Sequence, residues 1–335
     1  MSKKKLTIGS AVYDDFEGVF FTYQSLRINN LDRLDELDFI IIDNNPSSAE
    51  GKATKDYCKK ASIRYLPFTE RRSTAVRNEI FWRAEAPYAM SMDPHVLLEP
   101  NTVSRIIDFY SENPDTKDLY HGPMTYDCIN CHDPTTHMDP VWRDNMFGTW
   151  GYDKRGVKSD GEPFEIPMHG LGLFTAKVSE WQGFHVLFKG FGGEEGYIHK
   201  KYAKAGHKTY CLPWLRWNHR FQRPRGVKYP LRIDERVSNY YVGFLEIGED
   251  TAQIKEHFAK THPHVNCEEV ESEIKELLDL YGKDPDAALA KRFTEGAVTP
   301  KGDASKKGAC ELNYENEGDK DGVETWDTSR IDFKQ

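Results

Sequence analysis

Short apolar runs separated by amphipathic stretches constrain this chain more than any other feature. Leu6 to Val12, Asp38 to Ile42 and Tyr88 to Met92 each read as a short buried strand. Phe16 to Ile28, residues 51–60 and Ser73 to Arg83 read as helices between them, with Ser62 to Leu66 extended. Strands joined by crossover helices define an α/β sheet. Two strands end in polar positions, the turn Asp43-Asn-Asn-Pro-Ser-Ser and the single residue Asp93. Strand ends of this kind form the ligand crevice of an open α/β sheet.

Further along, periodicity weakens. Residues 123–165 are rich in Asp, Pro, Gly and Trp and are expected to be long loops around the crevice. Ile166 to Phe174 is expected as a strand, Glu194 to Ala205 as a helix stopped by Gly206, and His207 to Leu212 as another strand. Charged helices are expected near 250–261 and 267–281. The division is then a main domain over 1–245, a C-terminal helical extension over 246–290, and an acidic tail over 291–335 expected to be disordered. With 335 residues and 38% hydrophobic content, one large core is the expectation.

Charge and cysteine usage exclude several classes. A net charge of −9, from 54 acidic and 45 basic residues, lacks the footprint of a general nucleic-acid binder. Leu6 to Val12 is too short for an export signal, and no apolar run is long enough for a membrane span, so a cytoplasmic location is expected. Six cysteines are too sparse for a disulfide scaffold, and reduced thiols are expected. Cys128 and Cys131, with His132 and His137, have a spacing found in zinc sites, but no second Cys-x-x-Cys accompanies them; unliganded thiols are preferred and zinc stays open.

Three segments carry chemistry. Asp93-Pro94-His95 places a carboxylate and an imidazole two residues apart just past a strand, where both can face one divalent ion. Such an ion neutralises a departing diphosphate as a Lewis acid. Phe191-Gly192-Gly193-Glu194-Glu195 puts two glycines and two carboxylates at a helix start, where the macrodipole favours the ionised form and a proton acceptor. Trp217-Asn218-His219-Arg220, followed by Arg223 and Arg225, sets a histidine beside a basic cluster suited to a diphosphate and its metal. Each alone is also satisfied by capping, a structural histidine or a solvated face; their joint occurrence points to a site.

In this order the segments resemble the GT-A fold glycosyltransferases, particularly the family 2-like enzymes and the polypeptide N-acetylgalactosaminyltransferases, over about residues 5 to 230. The resemblance implies a mixed central sheet flanked by helices and a nucleotide-sugar donor, most readily a UDP-sugar. It puts Tyr13, Asp43 and Asn45 at the nucleoside. Thr74-Ala-Val-Arg77-Asn78 looks like the group's Ala-Arg-Asn helix, and Asp93-Pro94-His95 like its Asp-x-His metal motif, with His219 where a third ligand belongs. Mn2+ or Mg2+ is the implied cofactor, on Asp93, His95 and His219. Gly192-Gly-Glu-Glu195 is similar to the group's Gly-Gly-Glu-Asn segment and puts Glu195 where inverting enzymes keep a base, usually Asp; inversion and retention both stay open.

On that reading Arg220, Arg223 or Arg225 steadies the leaving diphosphate, and Glu194 and Trp217 orient the sugar or acceptor ring. The acceptor is a glycan or, against the acidic total charge, a hydroxymethylated pyrimidine in DNA met by the Arg216 to Arg225 cluster. Two rivals remain. A nucleotidyltransferase would normally show a glycine-rich phosphate loop after its first strand, which Ser10-Ala-Val-Tyr-Asp-Asp lacks. A non-catalytic carbohydrate-binding protein would keep the fold without needing a complete metal set.

Overall fold

The computed structural model describes residues 4–129, 133–223 and 226–294. Strand β1, Leu6–Val12, forms because its apolar residues are buried on both faces, and it leads into helix α1, Phe16–Asn29, whose first turn is capped by the Asp15 side chain accepting from Gly18 N–H. Strand β2, Leu37–Asp43, helix α2, Ala49–Ala61, and strand β3, Arg64–Pro67, follow. Ser62, expected as extended, instead takes a left-handed conformation (φ 57°) that ends α2. The expected helix over Ser73 to Arg83 is split into a 3-10 turn, Thr74–Arg77, and the short helix α3, Asn78–Trp82. Strand β4, Tyr88–Met92, lies where expected.

Beyond β4 come strand β5, Val96–Leu98, helix α4, Thr102–Glu112, and strands β6, Leu119–His121, and β7, Met124–Tyr126. The region expected as loops holds an antiparallel hairpin, β8 (His137–Arg143) with β9 (Met146–Gly151). Its alternation is hidden by Pro140 and by a register shift between Asp139 and Trp142. Strand β10, Phe164–Glu165, is brief, and the next strand, β11, is Leu173–Lys177 rather than Ile166 to Phe174. The apolar residues from Ile166 to Leu171 are buried as irregular chain, which a run of hydrophobicity does not distinguish from a strand. Helix α5, Glu195–Lys204, and strands β12, Thr209–Cys211, and β13, Trp217–His219, complete the site-bearing part. Four further helices, α6 (Ile233–Glu246), α7 (Ala252–Thr261), α8 (Cys267–Lys283) and α9 (Pro285–Thr294), follow. Of the acidic tail expected from 291, residues 291–294 close helix α9; from 295 onward it lies outside the described residues.

The main sheet runs β10-β12-β6-β11-β4-β1-β2-β3. Its β4-β1-β2-β3 half is parallel, and β11 adds antiparallel to β4, so the sheet is mixed. Along β2 the side chains alternate between two cores, Ile40 and Ile42 on one face and Ile41 on the other. Gly9 in β1 leaves no room for a side chain, since a Cβ there would stand 2.4 Å from Ile80 Cγ2. Helix α3 therefore lies directly on the sheet, and the 3-10 turn leading into it carries Arg77. A second, three-stranded sheet, β5-β13-β7, pairs His219 with Val96.

Candidate active site

The ends of β1 and β4, the turn after β2 and the segment after β13 enclose a chamber lined by Tyr13, Asp15, Asn44, His95, Arg220 and Arg223, among others. Asp43 lies beneath it, fully buried, accepting from Tyr65 Oη (2.8 Å) and Asn45 N–H (2.9 Å), and burial raises its pKa. Asn45 donates to Asp14 Oδ2 at 2.9 Å. These two expected nucleoside residues thus shape the turn, while Asn44, not singled out in the sequence, faces the chamber.

A second chamber opens beyond, walled by the β8–β9 hairpin, Gly192, Gly193, Glu194, Glu195 and Trp217. Arg77, Asp93 and Phe191 line both chambers and mark their junction.

Asp93, His95 and His219 meet at that junction. Their donor atoms all lie within 4.8 Å of one another, with Asp93 Oδ2 3.6 Å from His95 Nε2 and 3.7 Å from His219 Nε2. Strand pairing explains the convergence: Asp93 N–H bonds Gly172 O where β4 meets β11, and β13 is held against β5 one residue past His95. Burial lowers the His219 pKa to about 4, so its imidazole is neutral and able to ligate; its Nδ1 is buried without a hydrogen-bond partner. Asp93 is held well below the usual carboxylate range: burial alone would raise it, and Arg77 and the two histidines outweigh that. One carboxylate and two imidazoles fit Mn2+ or a comparable borderline cation.

Asp15 is not singled out by the sequence. Its Oδ2 sits 2.7 Å from His95 Nδ1, which turns Nε2 towards Asp93. Carboxylates in this position orient and strengthen metal-bound histidines. Asp15→Asn keeps an acceptor for the α1 cap but removes the charge behind His95. It is expected to weaken Mn2+ binding by about 10–100-fold with little change in melting temperature, and unchanged affinity in a metal titration would remove Asp15 from the site.

Arg77, only 7% exposed, bridges the site. Its Nη2 is 3.0 Å from Asp93 Oδ1 and its Nη1 is 3.1 Å from Glu194 Oε1. Glu194 occupies the cap position of α5, yet its side chain makes no cap hydrogen bond, and its Oε2 is buried without a partner. Glu195 begins α5, where burial and the neighbouring Glu194 raise its pKa to about 7 against the attraction of Arg236 and Arg77. Gly192 and Gly193 have φ of 94° and 93°, and a Cβ on Gly192 would meet Arg236 Nε at 2.3 Å, so this backbone lies flush on α6. Trp217 is buried and donates Nε1–H to Gly122 O at 2.8 Å, forming floor rather than rim.

On the other side, Arg220 donates to Glu17 Oε1 at 2.7 Å, and Arg223 Nη1 stands 3.1 Å from His95 Nδ1. Arg220 Nη1 and Arg223 Nε are buried donors without partners, on residues lining the first chamber. Arg225, Cys131 and His132 lie outside the described residues. Cys128 is disulfide-bonded, which corrects the expectation of a reduced thiol there; Cys58, Cys211 and Cys267 are free, as expected, and are buried.

No protein-family model and no curated protein matches the chain. Solved structures do. A crystal structure of GalNAc-T7 with UDP, GalNAc and Mn2+ superposes with a TM-score of 0.58 at 13% identity, covering 87% of this chain and 58% of that one. A structure of S. aureus TarS, residues 1–349, gives a TM-score of 0.46 at 11% identity, covering 77% and 70% of the two chains. The mixed sheet, its helices and the first of these likenesses define a GT-A glycosyltransferase fold. The chain spans little more than half the length of GalNAc-T7.

Proposed function

We propose that this chain transfers a sugar from a nucleotide-sugar donor, most readily a UDP-sugar, to an acceptor hydroxyl with the help of Mn2+ or Mg2+. The observation that carries this reading is the meeting of Asp93, His95 and His219 at the junction of the two chambers. The fold shared with GalNAc-T7, seen with UDP, GalNAc and Mn2+, supports it. The first chamber takes the nucleoside, beside Tyr13 and over the turn built by Asp43 and Asn45. Asp93, His95 and His219 hold the cation, which supplies Lewis-acid neutralisation of the diphosphate. Arg220 and Arg223, with Arg225, steady the departing phosphate oxygens.

The second chamber then holds the sugar and the acceptor. Gly192 and Gly193 allow a close approach, and Glu194, fixed by Arg77, orients hydroxyl groups, while Trp217 supplies an apolar floor. Glu195 accepts the acceptor's hydroxyl proton. With its pKa raised to about 7, kcat/KM is expected to rise with pH through that region as the carboxylate ionises. Glu195→Gln is expected to lose that limb and about 10²–10⁴-fold of the rate; a full rate and unaltered pH profile in this variant would exclude Glu195 as base.

The acceptor is a glycan or a hydroxymethylated pyrimidine in DNA. Among the described residues no helix is long and apolar enough to cross a membrane. Residues 1–245 would hold the catalytic domain, 246–290 its helical extension and 291–335 an acidic tail. The test is metal-dependent release of nucleoside diphosphate from UDP-, GDP- and dTDP-sugars, with acceptor pools that include hydroxymethylated DNA. Release from one donor, lost on chelation, is the expected result. Pyrophosphate formed in a parallel reaction supplied with nucleoside triphosphate and sugar 1-phosphate would favour the nucleotidyltransferase rival, and no turnover by folded, metal-loaded protein in either reaction would favour a binding protein.

A further inference from the structure

The second chamber sets three guanidiniums, Arg77, Arg143 and Arg236, against three carboxylates, Asp93, Glu194 and Glu195, but of these arginines only Arg77 is ion-paired to carboxylates of the chamber. Arg236, on α6, is 6% exposed, yet among the described residues no carboxylate lies within salt-bridge distance of it. Its Nη1 donates to Asn145 Oδ1 at 2.7 Å and, more weakly, to Asn145 O at 3.4 Å, and the guanidinium lies 5.6 Å over the Phe191 ring. Its Nε and Nη2 make no hydrogen bond to a described residue. Burying an arginine this way is costly unless an anion completes it. Arg77, buried in the same wall, has two carboxylates.

A second guanidinium, only half-buried, faces the same chamber. Arg143, at the end of β8, also lines the chamber, and its Nε is buried without a hydrogen-bond partner. Its contacts are weak: Nη2 is 3.4 Å from Met146 Sδ, and Nε is 3.9 Å from the largely exposed Asp144. Asn145, which accepts from Arg236, lies in the same hairpin tip, so one turn positions both cations. The same wall carries apolar residues, Met124, Met138, Trp150 and Tyr240, and the carboxylates Glu194 and Glu195.

We propose that the second chamber recognises an oxyanion, a carboxylate or a phosphate, carried by the substrate that fills it, with Arg236 and Arg143 as the gripping pair. Planar guanidinium forks bind either group through paired N–H donors. The oxyanion belongs either to the acceptor or to the transferred sugar. The assignment of the second chamber to these molecules rests on the donor reading given above.

Full-length protein saturated with UDP and Mn2+, which occupies the first chamber, is titrated with inorganic phosphate by calorimetry. The wild type is expected to bind phosphate, and Arg236→Gln and Arg143→Gln are each expected to weaken that binding at least about ten-fold, as loss of one charge-assisted contact does, with UDP–Mn2+ affinity unchanged. A role for Arg236 confined to holding Asn145 would lower melting temperature but leave phosphate binding to the folded variant intact. Affinities for UDP-glucuronate and UDP-glucose identify the source. A preference for the uronate that both variants lose places the anion on the sugar, and equal affinities with variant-sensitive phosphate binding place it on the acceptor. Phosphate binding that is absent, or indifferent to both substitutions, overturns the proposal. Absence of UDP binding would overturn the donor reading alone, since phosphate titration of the same variants still decides the clamp.

Discussion

Replacing Asp93 with alanine is expected to reduce metal-dependent nucleotide release by about 10²–10³-fold or more, the scale of losing a preorganised stabiliser of developing charge. Asp93 is the one carboxylate of the metal trio, and its partners are imidazoles, of which His219 is held neutral by burial. Without it the trio offers a divalent cation only two imidazoles. The fold is expected to survive. The bond from position 93 N–H to Gly172 O is a backbone bond, the β4–β11 pairing is untouched, and Arg77 retains Glu194. A metal titration and a nucleotide-release assay, alongside a melting curve, separate these effects; full turnover in the variant would remove Asp93 from the chemistry.

Arg77→Met is expected to have the largest effect on stability. The substitution leaves Asp93 and Glu194 without their shared cation, next to Glu195, and breaking a buried pair typically costs about 3–5 kcal/mol. For a domain of this size that corresponds to a fall in melting temperature on the order of 10 °C. The sign of its pH dependence follows from Asp93. In the wild type its folded pKa is depressed, so its stabilisation is present above the unfolded value near 3.8 and lost as pH falls towards the folded one. Without Arg77 that depression is largely gone. The deficit of the metal-free variant is therefore expected to be greatest at neutral pH and to shrink below about pH 4. Melting curves from pH 3 to 8 check this, and a deficit that does not vary with pH would mean that Arg77 acts through packing alone.

Much of the first half of the fold was legible because its signals are local. Leu6–Val12 and Tyr88–Met92 are strands at the residues their apolar runs suggest, and the crossover helices between them follow from period and capping. Asp93 and His95 were legible for the same reason, as two residues on one turn. His219 reaches them only through the β13–β5 pairing, and the sequence could suggest it only by resemblance to a family. Asp15 was missed because its role lies in a contact 80 residues away. The β8–β9 hairpin was missed because Pro140 and a shifted register break the alternation that marks a strand. Arg143 and Arg236 look like ordinary surface charges in a hairpin tip and an amphipathic helix; only tertiary packing buries Arg236 and brings both to the chamber of the candidate base.

The most direct test of the metal–nucleotide site is pulsed electron paramagnetic resonance on the full-length protein loaded with Mn2+ and UDP. Couplings from two imidazole nitrogens, one lost in His95→Ala and the other in His219→Ala, together with a phosphorus coupling from UDP, are the expected result. A bound Mn2+ with no nitrogen coupling, or one indifferent to UDP, would contradict the assignment of Asp93, His95 and His219 as the centre on which the nucleotide-sugar reading stands.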